Sequence, residues 1–248
     1  MTTANDAMVQ TADLTKEYGS CRALVDCSLA VPRGEILALV GPNGAGKTTI
    51  LKLMAGLLAP TRGRVTIAGF DVHRQPLQAK TYLSFVPDQP FLYEQLTVAE
   101  LLGFVGGVYR MPPDLLQQRA TALLRLFASE AMLSHRISTL SYGMKSRVVL
   151  IASLLHDPAV LLMDEPFFGL DPQTLRLMKQ LLLERARQGM TVILSTHQLP
   201  IVEDVAHRIA VMAQGRLVAL GRLEELQRQY GGGRLEELFF HLTAPVAE

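Results

Sequence analysis

Gly41-Pro42-Asn43-Gly44-Ala45-Gly46-Lys47-Thr48 fits the pattern GxxxxGK(S/T). Just before it, Glu35-Ile36-Leu37-Ala38-Leu39-Val40 is a short apolar run that predicts a buried strand. Just after it, Thr48 to Ala55 predicts a helix, with Gly56 as its stop signal. A glycine loop between a strand and a helix is the context of a phosphate-binding loop. Glycines let backbone N–H groups converge on phosphate oxygens without Cβ clashes, and the helix N-terminus adds partial positive charge. Lys47 would reach the β- and γ-phosphates, and the Thr48 hydroxyl would ligate Mg²⁺.

Working outward, Val160 to Met163 and Thr191 to Ser195 are further apolar strands. The first ends in Asp164-Glu165 and the second runs into Ser195-Thr196-His197. Leu140-Ser141-Tyr142-Gly143-Met144 stands upstream, and Ser141 is placed to cap a helix from Tyr142 to Leu155. Such a cap turns a helix N-terminus and the Gly143 amide toward an anion. These motifs, in this order, resemble the ATP-binding subunit of an ABC transporter, and the resemblance runs from about Val9 to Leu242.

The resemblance implies an α/β fold: a P-loop NTPase (RecA-like) core, an antiparallel β subdomain and an inserted helical subdomain. It divides the chain into a core over 8–88 and 156–222, a helical subdomain over 89–155, and C-terminal helices over 223–248. It implies ATP and Mg²⁺ as ligands. The implied nucleotide-binding residues are Tyr18, Gly41 to Thr49 including Lys47, and Ser141, Gly143 and Asp171. Asp164 resembles the aspartate that holds Mg²⁺ with Thr48, and Glu165 the general base for the attacking water. His197 resembles the switch histidine beside the γ-phosphate. Tyr18 stands where the family stacks adenine; a half-buried strand-end tyrosine is the plainer alternative.

Three places depart from the family pattern. Tyr142 and Met144 replace the first glycine and the glutamine of the usual LSGGQ, while Ser141 and Gly143 remain. Phe167 and Phe168, ahead of Gly169-Leu170-Asp171, stand where Thr and Ser are common and are read as packing residues. After Phe85-Val86-Pro87 the family has a glutamine that binds Mg²⁺ and senses the membrane partner. Here Asp88 occupies that place and Gln89 follows, so either is a candidate.

Composition narrows the class. The chain has 248 residues, 49% hydrophobic content and a net charge of +1. That suits one unit with a large core and gives no broad field for nucleic acid, so none is expected as a partner. Cys21 and Cys27 match no metal spacing and are read as small apolar residues in a reducing cytosol. The histidines form no zinc-type cluster. Met1 to Ala7 is polar, so no signal peptide is expected, and no apolar run is long enough to span a membrane. Together with these absences, the resemblance implies a cytoplasmic location, peripheral on the inner face of the cell membrane. An integral membrane permease subunit would supply the pore, and the chain would dimerise with itself or a related ATPase subunit.

The remaining pattern is coarse. Val9 to Leu14, Ala23 to Val31 and Arg62 to Ala68 predict strands, and Leu96 to Leu155 is helical, broken at Pro112-Pro113. Asp171-Pro172 and Pro200 open helices, and Arg208 to Ala213 pairs with Leu217 to Leu220 around Gln214-Gly215. Arg222 to Leu226 recurs at Arg234 to Leu238 across Gly231-Gly232-Gly233. Leu235, Leu238, Phe239 and Leu242 share one helical face, expected to pack on the chain's own core. Two rivals stand beside the main reading: a non-transport ABC ATPase, which usually carries coiled-coil insertions or tandem cassettes, and a regulatory ATP-binding module without turnover.

Overall fold

The computed structural model describes residues 7–231 and 233–243. The chain begins with β1 (Ala7–Tyr18), β2 (Cys21–Pro32), β3 (Ile36–Val40), α1 (Lys47–Met54), β4 (Arg62–Ile67) and β5 (Phe70–Asp71). Next come α2 (Pro76–Thr81), β6 (Leu83–Val86), α3 (Val98–Val108), α4 (Pro113–Leu126) and α5 (Tyr142–Leu154). Then follow β7 (Val160–Asp164), α6 (Pro172–Arg187), β8 (Thr191–Ser195), α7 (Leu199–Val205), β9 (Arg208–Ala213) and β10 (Arg216–Gly221). Helices α8 (Leu223–Tyr230) and α9 (Leu235–Thr243) end the described chain.

Two sheets carry the fold. The larger has the order β10-β9-β3-β8-β7-β6, parallel except for the β9–β10 hairpin. Strands β3, β7 and β8 are buried at every position. Both faces of this sheet are covered, which is why these strands read as unbroken apolar runs. The alternation survives inside them: Ile36, Ala38 and Val40 face one core, and Leu37 and Leu39 the other. The first core is shared with the helical insert, α6, α7 and α9. The second is shared with α1 and the antiparallel sheet, whose order is β2-β1-β4-β5.

The α/β architecture with an antiparallel sheet and a helical insert is the one expected. Leu235 and Leu238 are buried in the first core, with Phe239 and Leu242 packed against it, so that face does turn inward. Gly232, in the glycine run before α9, and Met1 to Asp6 lie outside the described residues. Strands β1 and β2 outrun their expected ends. Asp13 and Asp26 take positive φ of 49° and 47°, and the register shifts between Thr11 and Leu14, so the hairpin continues through a bulge that breaks the alternation. Cys27 is buried, as suits a small apolar residue, whereas Cys21 is exposed at the hairpin end. Among the described residues no helix is long and apolar enough to cross a membrane.

Candidate nucleotide site

Strand register assembles the site. In the larger sheet Leu39 pairs with Ser195, Asp164 pairs with Ser195 from the other side, and Val86 pairs with Met163. Every loop that follows β3, β6, β7 and β8 therefore leaves the same end of the sheet. That end, outside the strand C-termini, is where open α/β sheets bind ligands.

The loop after β3 needs its glycines for two reasons. A Cβ on Gly41 would stand 2.4 Å from the Met212 carbonyl oxygen, and one on Gly46 would stand 2.7 Å from that of Ala23. Those residues are packed against the ends of β9 and β2. Gly44, at φ +80°, has nothing within 4 Å of where its Cβ would be, so its side of the loop is open. The Ala45 N–H donates to the Pro42 carbonyl at 3.1 Å and closes the turn. Asn43 and Thr48 are exposed beside it, and Thr49 is half-buried. Lys47 is buried, and its Nζ donates to the carbonyls of Gly41 (2.6 Å) and Pro42 (3.0 Å). Desolvation holds its pKa below the usual value, opposed by the charges of Glu165 and Asp164.

Asp164 ends β7 and is 1% exposed. One of its oxygens accepts from the Ser195 hydroxyl, while Oδ2 is buried without a partner. A buried carboxylate oxygen with no donor is costly unless a cation or water meets it. The donor set fits a hard divalent cation. Glu165 follows at φ +48°, a left-handed backbone that is uncommon outside glycine. Its N–H is held by the Ser195 carbonyl (3.1 Å) and hydroxyl (3.2 Å). Its Oε2 lies 3.0 Å from His197 Nδ1 and also accepts from the His197 N–H at 3.4 Å. Ser195 thus fixes Asp164 and Glu165 together. Sequence reading passed over it, although a serine closing an apolar strand just ahead of His197 was the available signal.

Asp88, Gln89, Phe91, Lys145, Glu165 and His197 line one cavity of about 470 Å³, with Tyr142 and Phe168 on its wall. Both Asp88 and Gln89 face it. A cavity of about 420 Å³ between Asp13, Arg64 and Arg74 opens on the antiparallel subdomain and touches none of the expected site residues. Ser141 caps α5 as expected, its hydroxyl accepting from the Met144 N–H at 3.4 Å. Neither Ser141 nor Gly143 lines the larger cavity. Tyr18 is 49% exposed at the end of β1, with Lys16 Nζ 4.9 Å from its ring centre. Tyr18 pairs with Cys21, close to the Ala23 carbonyl that abuts Gly46. Both carboxylate oxygens of Asp171 are taken up at the start of α6, by the Thr174 N–H (2.9 Å) and hydroxyl (2.7 Å), which hold its pKa low. Phe167 is buried as a packing residue should be, but Phe168 is 60% exposed.

Comparison with known proteins agrees. Residues 24–168, more than half of the chain, match the family described as ABC transporter. The chain is 34% identical over 227 residues to the probable multidrug ABC transporter ATP-binding protein YbhF of Escherichia coli (strain K12), covering 92% of this chain and 39% of that one. It thus spans about two fifths of that relative's length. It is 33% identical over 231 residues to the linearmycin resistance ATP-binding protein LnrL of Bacillus subtilis (strain 168), covering 93% and 74%. It is 36% identical over 223 residues to the sulfate/thiosulfate import ATP-binding protein CysA of Mesorhizobium japonicum, covering 88% and 64%. A solved ATP-binding subunit of an ABC transporter superposes with a TM-score of 0.91 at 34% identity, covering 95% and 99% of the two chains. A dimeric post-hydrolysis cassette bound to ADP and Pi superposes at 0.77 with 27% identity, covering 87% and 99%. The chain belongs to the ABC transporter family, as one of its ATP-binding cassettes.

Proposed function

We propose that this chain hydrolyses ATP as a subunit of a membrane transporter, pairing head to tail with a second copy or a related cassette around two nucleotides. The observation that carries this reading is the convergence of Lys47, Asp164, Glu165 and His197 at one sheet end, with Asp164 Oδ2 buried and unpartnered. Gly41 to Thr49 cradle the phosphates, with Pro42, Asn43 and Ala45 shaping the loop, and Tyr18 stacks on adenine. Thr48, Asp164 and Asp88 hold Mg²⁺, with Gln89 the alternative to Asp88. Bound Mg²⁺ supplies charge neutralisation on the β- and γ-phosphates. Glu165 orients the attacking water and takes its proton as the bond from oxygen to the γ-phosphorus forms. The bond to the β–γ bridging oxygen breaks, and ADP and phosphate leave. His197 holds Glu165 in place, and Lys47 meets the charge on the leaving oxygens. Ser141 and Gly143 of the second copy close on the γ-phosphate, and Asp171 shapes the loop that crosses between copies.

The partner in the membrane is an integral permease subunit, with this chain peripheral on the cytoplasmic face. Phe91, Tyr93 and Phe104 support docking beside the helical insert: they are 79%, 59% and 50% exposed, and the Tyr93 and Phe104 rings meet edge to face at 5.6 Å. The multidrug and resistance names of two relatives favour export, while the import name of the third speaks against it. Uptake of cargo into inverted vesicles carrying the permease decides the direction. For the ATPase reading, Glu165→Gln retains ATP binding, loses turnover by about 10²- to 10⁴-fold, and accumulates as an ATP-bound dimer in sedimentation. A variant that remains monomeric and hydrolyses ATP normally overturns both the base and the pairing.

A further inference from the structure

Tyr142 occupies a position where the family pattern has glycine, and its side chain makes contacts that glycine cannot. The phenol hydroxyl donates to the Asp88 carbonyl at 3.1 Å, across 54 residues of sequence. The ring meets Phe168 edge to face, with centroids 6.2 Å apart and planes at 87°. Gly169 lies against the same ring. A Cβ there would stand 2.8 Å from Tyr142 Cε1 and 3.0 Å from Cδ1.

These contacts join parts that the sheet alone leaves separate. The Asp88 loop leaves β6 and the Phe168-Gly169 loop leaves β7, two adjacent parallel strands. Tyr142 belongs to neither; it stands on the first turn of α5, in the helical insert. One side chain therefore ties the insert to both loops. A second tie runs nearby, from Lys145 Nζ to the Glu94 carboxylate at 2.6 Å. Tyr142 is 40% exposed, so its role is not that of a core residue.

We propose that Tyr142 is a positioning residue that clasps the Asp88 and Phe168-Gly169 loops to the first turn of α5. A shift of the Asp88 loop at one nucleotide then moves the Ser141–Gly143 turn that meets the other. This rests on the pairing of two chains around ATP. The clasp itself is a property of the single chain.

Tyr142→Phe removes the hydroxyl and keeps the ring, and Tyr142→Gly removes both. In the nucleotide-free chain, amide hydrogen exchange in residues 87–91 and 141–146 rises about fivefold or more in Tyr142→Phe, the loss of one hydrogen bond. The melting midpoint changes little. In steady state, kcat falls by about the same factor while KM for ATP stays within about twofold. Tyr142→Gly falls further in kcat. Wild-type exchange in both segments of Tyr142→Phe overturns the clasp. So does a loss of kcat that tracks a lowered melting midpoint. If the wild type neither binds nor hydrolyses ATP, the ATPase reading fails, and the exchange measurement still decides the clasp.

Discussion

Asp164 and Lys47, on the floor of the nucleotide site, are 1% and 8% exposed, whereas Phe91, Phe168 and Tyr142 on its rim are 79%, 60% and 40% exposed. The floor is set by strand register and packed backbone, which have one arrangement. The rim is held by single side-chain ties, such as Tyr142 to the Asp88 carbonyl and Lys145 to Glu94. The first kind of construction suits groups that hold phosphate and must not move. The second suits groups that change partners during a cycle, because the free energy separating their arrangements is small.

The largest effect should come from the floor. Lys47→Ala removes the charge proposed to meet two phosphates, and kcat/KM should fall by about 10²- to 10³-fold, with nucleotide affinity lost in calorimetry. Turnover and KM near wild type would break the contrast at its strongest point. Ser141→Arg tests the rim. Single-chain ATP affinity should stay within about twofold, while turnover drops by roughly tenfold or more because a bulky charge obstructs closure. Collapse of single-chain affinity would move Ser141 from the rim to the floor.

Smaller effects sharpen the boundary. Asp88→Ala and Gln89→Ala should each leave ATP affinity within about threefold. Only one of them should lower permease-stimulated ATPase in a reconstituted complex, and that one is the cation-side residue. If neither single change nor the double change alters stimulation, this loop does not couple the two proteins. The smallest effect lies at the joint between insert and core, where the Tyr109 and His156 rings stack at 3.6 Å and 8°. Burial, helped by the Arg119 charge, pulls the His156 pKa from 6.5 to about 4. The fold favours the neutral ring, so its contribution is complete above pH 6.5 and is lost as pH falls toward 4. The melting midpoint of the wild type should drop more between pH 7 and pH 4.5 than that of His156→Phe, measured by differential scanning calorimetry. Equal drops would show that the joint does not sense protonation.

The floor was legible from sequence almost residue by residue, and the rim was not. Apolar runs such as Val160 to Met163 and glycine-lysine spacing are local signals, and register then fixes their neighbours without further information. Strand β6 went unread because Leu83-Ser84-Phe85-Val86 is only four residues and carries a buried serine. Helix α2 is six residues with a proline start, too short to show a period. The bulge at Asp13 hid the second half of β1, since a one-residue slip swaps the two faces of the strand. On the rim, Tyr142 and Phe168 stood out only as departures from a pattern. Their edge-to-face contact joins residues 26 apart, and no local periodicity encodes it.

The two cysteines of the β1–β2 hairpin differ in reactivity as well as in place. Cys27 is 1% exposed and its thiol is pushed up to about 11, so near neutral pH it carries almost no thiolate. Cys21 is exposed and sits opposite Tyr18 in the hairpin register. A maleimide fluorophore added to the unaltered chain would therefore mark one position, beside the tyrosine proposed to receive adenine. The chain contains no tryptophan, so it offers no bright intrinsic signal for nucleotide arrival. The unequal thiols supply that reporter without a single substitution.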